Sequence, residues 1–266
     1  MIKIVTRMEA VFENACSTAG RALTLGADSI RALGDVRRRK AEIINQAFRA
    51  TYGSLPVTIL TALFSGMILA IQTGVELQKY GQEAQIGYVV AASMCREMGP
   101  VMTAIALAGL MGSSYAAELG TMKVSEEIDA LQVMSIDPIR YLVMPRVVAL
   151  VSASVALTIM VNIIGIVGGA LVGRSNFGIS FDVYFTKAQE ILKFRDIWVG
   201  LLKATCFALS TAIVGCNEGL ATSQGAAGVG RSTQKTVVLS FILILVLDHL
   251  INWFVILIGA LGGETA

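Results

Sequence analysis

The chain has 266 residues, of which 55% are hydrophobic and only 15% are charged, and its net charge is +2. Soluble domains have about 25% charged residues, so this composition indicates an integral membrane protein. The nearly balanced charge gives no reason to expect a nucleic-acid partner. About five or six spans with short loops would fill the chain and leave no room for a nucleotide-hydrolysing domain.

The first 53 residues are predicted to lie at the membrane surface rather than to cross it. Apolar residues recur at helical spacing over residues 1–34 and again over residues 42–52, which predicts two amphipathic segments. Between them, Arg37, Arg38, Arg39 and Lys40 form a basic run. Such a run is often only a solvated face, but beside a membrane it marks the cytoplasmic side and can hold anionic headgroups.

Residues 54–266 contain five apolar stretches that can cross a ~30 Å hydrocarbon core as helices. The predicted spans are residues 55–72, 88–117, 147–172, 197–217 and 236–261. The second is longer than one crossing needs, so it must tilt, begin outside the lipid or break at Gly99-Pro100. A short surface helix is expected between residues 174 and 196, and a glycine-rich loop over residues 218–235. The predicted fold class is an all-α integral membrane protein, with five transmembrane helices preceded by amphipathic interfacial helices.

The connection between the second and third spans, residues 118–137, differs in character from the spans around it. It carries six charged residues, and Ser125 can cap a short helix whose first turn holds Glu126 and Glu127. Asp137-Pro138 is expected to end this helix, because the residue before proline disfavours the helical region. From the pattern alone two interpretations remain: a solvated loop that happens to be helical, or a helix on which a soluble partner docks.

The distribution of basic residues predicts the orientation in the membrane. Lysines and arginines are concentrated in the N-terminal segment, with further ones in the connections after the second and fourth spans. The positive-inside rule therefore places the N-terminus in the cytoplasm and, after five spans, the C-terminus on the periplasmic side. The acidic connection over residues 118–137 would then face the cytoplasm.

Charged residues inside the predicted spans are the candidate functional residues, since intramembrane charges usually face a cavity or one another. Arg96 and Glu97 either snorkel to the headgroup level or form a polar anchor at the mouth of a substrate cavity. Neighbours on a helix point about 100° apart, so each of the two needs a partner elsewhere. Asp248 is either a buried carboxylate bonded to a neighbouring helix or part of the same site, and Lys203 is expected to snorkel to the surface.

The sequence gives no sign of enzymatic chemistry. The one histidine, His249, stands without a matching nucleophile, and the four cysteines lack the spacing of a metal site or a disulfide framework. Residues 225–232 nearly match the phosphate-binding loop, but Arg231 replaces its lysine and the segment lies between membrane helices rather than in an α/β domain. We therefore predict no catalytic residue, no metal and no cofactor.

Several motifs, in order over residues 45–260, closely resemble the MlaE/YrbE permease family, the membrane subunits of ABC transporters that work with MCE-domain proteins on lipids. The motifs are SLPVTILTALFSGMILAIQTGVELQKYG, REMGP, AELGTMKVSEEIDAL, DPIRYLVMPR and EGLATSQGAAGVGRSTQKTVV. The resemblance implies a homodimer in the inner membrane and a separate ATPase on the cytoplasmic face. It also implies an MCE-domain protein on the opposite face and phospholipids or related lipids as substrate.

The resemblance also implies roles for particular residues. The acidic connection becomes the coupling helix, and the ATPase contacts are expected at Glu118, Lys123, Glu126, Glu127, Asp129 and Leu131. The resemblance places the REMGP segment near the lipid cavity and, together with the charge of Asp248 within the last span, predicts lipid binding at Arg96, Glu97 and Asp248.

Two alternatives stay open. An ion-coupled secondary transporter with an ion path through Asp248 and Glu97 would work without an ATPase, although the sequence shows no inverted repeat. A membrane scaffold that only holds an MCE-domain protein would tolerate changes in the acidic helix.

Overall fold

The computed structural model describes residues 20–261, with side chains described up to residue 257. The part of the predicted N-terminal amphipathic helix that precedes residue 20 therefore lies outside the described residues. The helices in chain order are α1 (20–31), α2 (Lys40–Gln78), α3 (Glu83–Val124), α4 (Glu127–Val133), α5 (Ile139–Phe177), α6 (Phe181–Ile191), α7 (Phe194–Leu220) and α8 (Gly225–Leu261).

Within residues 20–261, five helices are long and apolar enough to cross a membrane: α2, α3, α5, α7 and α8. Each contains one of the five predicted spans, so the prediction of an all-α integral membrane protein is confirmed. The predicted surface helix between residues 174 and 196 is α6, and the Ser180 hydroxyl caps it by accepting a hydrogen bond from the Val183 amide.

The helices α2 and α5 pack with their backbones almost in contact. A Cβ atom on Gly66 would lie 1.9 Å from the carbonyl oxygen of Gly165, and one on Gly168 would lie 2.6 Å from that of Leu63. Small side chains let helices approach this closely in lipid. On α2 the residues that face α5 are small and spaced four apart: Ala50, Ser54, Thr58, Ala62, Gly66, Ala70 and Gly74.

This row of small residues explains a difference from the prediction. The amphipathic segment 42–52 and the first span, residues 55–72, were expected as separate helices. They form one helix of 39 residues, and Pro56 lies in its interior. The row begins at Ala50 and runs past Pro56, so contact with the neighbouring helix continues across the proline.

The long helix α3 does not break at Gly99-Pro100. It continues from Glu83 to Val124, and its winding is π-helical at two places, Met94–Met98 and Ala108–Gly112. Gly99 has a packing role instead, because a Cβ atom there would lie 1.8 Å from Oδ1 of Asn162 on α5.

The predicted connection between the fourth and fifth spans is shorter than expected. The glycine-rich loop over residues 218–235 is mostly helical, since α7 runs to Leu220 and α8 begins at Gly225. Gln224 and Gly225 make the tight turn between them with φ values of 68° and 64°.

The helix expected over residues 118–137 is only Glu127–Val133. Its N-cap is Glu126, in the left-handed region with φ 60°, and not Ser125 as predicted. It ends at Val133, before Ser135 with φ 60°, so Asp137-Pro138 is not its end. Asp137 instead accepts the Ile139 amide at 2.9 Å, at the start of α5.

Candidate functional site

A buried lysine is the centre of a charged cluster between α3, α7 and α8. Lys203 on α7 is fully buried, and its Nζ donates to Oε2 of Glu97 on α3 at 2.7 Å. Oδ1 of Asp248 on α8 lies 2.9 Å from the same Nζ, a contact that is ionic rather than a well-aligned hydrogen bond. Three helices are therefore joined through one ammonium group.

An arginine and an aspartate extend the cluster. Nε and Nη2 of Arg96 lie 3.0 and 3.1 Å from the two carboxylate oxygens of Asp196, which is the fork geometry typical of arginine–carboxylate pairs. The Asp196 side chain is 10% exposed, whereas that of Arg96 is 46% exposed. A guanidinium has five N–H donors, so Arg96 keeps donors for a further acceptor.

The backbone of α3 contributes to the same cluster. Arg96 and Glu97 lie in the π-helical turn Met94–Met98. A π turn moves the backbone hydrogen bonds from i+4 to i+5, which leaves a carbonyl free for another donor. The Arg96 carbonyl accepts from Nζ of Lys203 at 3.1 Å. In regular α-helical winding the donor to this carbonyl would be residue 100, but Pro100 has no N–H, so the Arg96 carbonyl is available to Lys203.

The depth and charge of the cluster make it unusual. Lys203 follows Phe194, the first residue of α7, by nine residues, or about 14 Å along the helix. Asp196 lies only two residues after Phe194, so the cluster extends from the beginning of α7 into its interior. The cluster has two cationic and three anionic groups, so its formal charge is −1. Buried charges at such depth cost several kcal/mol unless they are paired, and such residues typically mark a transport pathway.

The structure therefore brings together the three residues predicted to bind lipid, Arg96, Glu97 and Asp248. It also confirms that Arg96 and Glu97 find different partners on other helices. The prediction that Lys203 snorkels to the surface is wrong, because two carboxylates from neighbouring helices hold its ammonium group inside. Sequence reasoning missed Asp196, and nothing in its linear neighbourhood indicates a partner 100 residues away.

The residues predicted to contact an ATPase are divided between two elements. Glu126, the N-cap of α4, and Glu127, its first residue, are exposed, and Asp129 accepts from Lys123 at 2.7 Å. Ile128 is buried and Leu131 is partly buried against the core, so these two residues anchor the short helix. At the C-terminal end of α4, Val133 and Met134 are exposed to 86% and 61% of their surface.

Glu118 is not part of the short helix. It lies in α3, and its Oε2 accepts from Nη2 of Arg146 on α5 at 2.9 Å. Arg146 is buried and also donates to the Leu142 carbonyl at 2.8 Å. Glu118 thus joins the ends of the two helices that flank α4.

A second ion pair joins α7 and α8 near the loop between them. Glu218 is buried, and its Oε2 lies 2.9 Å from Nζ of Lys235. Sequence reasoning assigned both residues to a flexible loop. Glycine and polar residues dominate residues 225–235, so the sequence gives no clear signal that this segment is helical.

Comparison with known proteins agrees with this architecture. A family model described as Permease MlaE matches residues 43–254. A probable ABC transporter permease protein of Rickettsia typhi is 41% identical over 210 residues, which are 79% of this chain and 81% of that protein. The chloroplastic protein TRIGALACTOSYLDIACYLGLYCEROL 1 of Arabidopsis thaliana is 39% identical over 211 residues, covering 79% of this chain and 60% of that protein.

A third relative has a more specific name. The intermembrane phospholipid transport system permease protein MlaE of Haemophilus influenzae is 33% identical over 218 residues, or 82% of this chain and 84% of that protein. The family match over residues 43–254 includes α4 and all the residues of the charged cluster, and these relatives align with 79–82% of the chain. The chain therefore belongs to the MlaE family of ABC transporter permeases.

Proposed function

We propose that this chain is the membrane subunit of an ABC transporter that moves phospholipids or related lipids between the membrane and an MCE-domain protein. The observation that carries the proposal is the half-exposed guanidinium of Arg96, held by Asp196 beside the buried Lys203. A guanidinium fork matches the oxygens of a phosphodiester, and the surrounding helices are apolar enough for acyl chains.

The residues of the proposed site have different roles. Asp196 fixes the orientation of Arg96 but leaves donors free for a lipid phosphate. Lys203 offsets one of the two negative charges of Glu97 and Asp248, so these carboxylates do not repel the phosphate at full strength. The Haemophilus relative is named for phospholipid transport, which supports this substrate class.

The proposed energy source is a separate ATPase that docks on α4 in the cytoplasm. The exposed Glu126, Glu127, Val133 and Met134 offer it both charged and apolar contacts, while the buried Ile128 fixes α4 to the rest of the chain. Because α4 directly follows α3, which carries Arg96 and Glu97, a push on α4 would be transmitted to the lipid site. Transport becomes directional if the two positions of α3 bind lipid with different affinity.

The proposal includes a homodimer in the inner membrane, with the N-terminus cytoplasmic and the C-terminus periplasmic. The helix α8 is strongly apolar, yet only 11% of its 18-residue apolar segment is buried, against 28–50% of the corresponding segments in the other four spans. An apolar face this open is suited to a second copy or to lipid. The chain itself supplies no catalytic chemistry in this proposal.

The test is lipid transport by the assembled complex in vesicles, with Arg96 variants. Arg96→Glu should abolish ATP-driven transport while the ATPase remains bound. Arg96→Lys should keep part of the activity, since the charge remains but the two-donor fork is lost. A photo-crosslinker at residue 96 should capture lipid more strongly than one at Ile163, which is exposed on α5 and reports ordinary boundary lipid. Full transport by Arg96→Glu would contradict the lipid site.

The same assay separates the alternative functions. Transport that persists without ATP would indicate a secondary transporter. Unchanged MCE-dependent function after reversal of Glu127 to lysine would favour a scaffold.

A further inference from the structure

A cavity of about 620 Å³ lies at the end of the helix bundle that carries α4, far along the helices from the Lys203 cluster. One side is formed by Asp35, Arg38 and Arg39, in the turn before α2. The other side is formed by Ser135 and Asp137, in the connection from α4 to α5, and by Arg140 in the first turn of α5. The cavity therefore joins the N-terminal segment to the residues that follow the proposed coupling helix.

The arginines of this cavity are only loosely paired. Arg140 lies 3.4 Å from carboxylate oxygens of both Asp35 and Asp137, and the distance from Arg38 to Asp35 is 4.0 Å. Well-formed charged hydrogen bonds are about 2.7–2.9 Å long, as in the pair between Arg146 and Glu118.

Arg39 lies 4.3 Å over the ring of Tyr141 and, among the described residues, has no carboxylate partner. Three guanidinium groups thus face two carboxylates, with N–H donors to spare. An anion with several oxygens could shorten these contacts.

The surroundings of the cavity indicate where such an anion would come from. Apolar side chains are exposed on both sides of the basic turn: Leu33 before it, and Ile44 and Phe48 after it, the last at 67%. A basic segment between exposed apolar faces is typical of a chain that lies at the surface of an anionic membrane leaflet. A phospholipid would satisfy both features, with its phosphate in the cavity and its acyl chains beside the apolar residues. An acidic protein segment would satisfy only the first.

We infer that this cavity binds the headgroup of an anionic phospholipid from the cytoplasmic leaflet, at a site distinct from the proposed lipid path at Arg96. The bound phosphate bridges Arg39 and Arg140 and so ties the connection after α4 to the membrane surface. The binding itself does not depend on the proposed function. A regulatory effect does rest on it, because only a coupling role for α4 would make this tie influence transport.

Lipid binding can be measured by native mass spectrometry of the purified chain, using phosphatidylglycerol and phosphatidylcholine with identical acyl chains. The wild-type chain should prefer phosphatidylglycerol by at least about tenfold. Arg39→Gln combined with Arg140→Gln should remove about tenfold of that preference, or about 1.4 kcal/mol, because the charged hydrogen bonds from two guanidinium groups to the phosphate are lost. Arg38→Gln, in a side chain that is 88% exposed, gives a second cavity variant that should fold normally.

The matched control is Arg37→Gln combined with Lys40→Gln, which removes the same charge from the same turn but from residues outside the cavity lining. It should keep the preference within about threefold, because these two residues do not line the cavity and would act on the phosphate only through screened, longer-range attraction. Equal losses in both double variants would show diffuse surface attraction and overturn the site. The preference should also persist in Arg96→Glu, and its disappearance there would assign the binding to the transport path instead.

Soluble glycerol 3-phosphate tests the source of the phosphate. It should fail to displace phosphatidylglycerol at equal concentration, and efficient displacement would mean that the cavity takes free phosphate esters rather than lipid. Loss of the preference when the ATPase is bound would assign the cavity to the protein contact and overturn the lipid proposal. A threefold or larger stimulation of coupled ATP hydrolysis by phosphatidylglycerol, absent in the Arg39 and Arg140 variant, would support the regulatory role.

Discussion

Replacement of Lys203 by methionine tests whether the charged cluster is held together by its one buried cation. The methionine keeps most of the side-chain volume but leaves Glu97 and Asp248 without their common partner. Removing one member of a buried ion pair costs about 3–5 kcal/mol, because the remaining charge stays desolvated. The carboxylate side chains are 43% and 20% exposed, so water relieves part of this cost, and we expect the lower end, about 3 kcal/mol.

For a chain of this size, about 3 kcal/mol corresponds to a fall of roughly 6–12 °C in the midpoint of thermal unfolding. The midpoint can be followed in one detergent through the fluorescence of Trp198 and Trp253. The control is Lys187→Met on α6, where Lys187 pairs with Glu190 near the surface and the loss should stay below about 0.5 kcal/mol.

A triple variant shows whether Lys203→Met lowers stability through unpaired charge or through lost packing. Lys203→Met combined with Glu97→Gln and Asp248→Asn removes all three charges and keeps their shapes. It should recover most of the lost stability, because no uncompensated charge remains. The reasoning is refuted if Lys203→Met unfolds at the same temperature as Lys187→Met, or if the triple variant is no more stable than the single one.

Three further expectations concern packing, coupling and topology. Gly66→Ala should destabilise the chain by about 2 kcal/mol or more in the thermal assay, because its Cβ would meet a backbone carbonyl of α5 at 1.9 Å. The control is Gly53→Ala, which has open space around it and should be neutral or stabilising in the same assay. Glu127→Lys should lower ATP-driven lipid transport about tenfold at unchanged protein level, since like charges across a contact can cost several kcal/mol, and Gln132→Lys on the same helix is the control in the transport assay. Reporter fusions in the α3–α4 connection should behave as cytoplasmic and fusions at the C-terminus as periplasmic, and the reverse pattern would exclude docking of an ATPase on α4.

The five spans could be predicted because composition and length decide which segments enter lipid. Their ends could not, because helix ends depend on contacts between distant residues. The helix of the first span begins at Lys40, 15 residues before the predicted start. The row of small residues that packs it against α5 from Ala50 onwards is only visible as a packing surface once α5 is opposite it. Likewise, the glycines after residue 224 suggested a loop, but most of them lie inside α8.

Some members of the charged cluster could be predicted from the sequence, but the burial of its lysine could not. Arg96, Glu97 and Asp248 stand out in the sequence because charges are rare within apolar runs. Lys203 stands out equally, but a lysine near the end of a span usually reaches the surface. Its burial depends on carboxylates that are 106 and 45 residues away along the chain, and no local pattern contains that information.

The two π-helical turns of α3 affect how the helix responds to a change in length. Each widened turn, Met94–Met98 or Ala108–Gly112, accommodates one residue more than regular α-helical winding would. Deleting one residue elsewhere in α3 rotates everything beyond it by about 100° and misaligns its contacts. Deleting Leu110 would only rewind the second wide turn, so both flanking segments should keep their orientation and the chain should still fold. The same deletion at Met98 should also fold, but it would draw the Arg96 carbonyl back into the helix and away from Lys203. One helix thus contains two places that tolerate deletion, and only one of them is expected to retain the charged cluster.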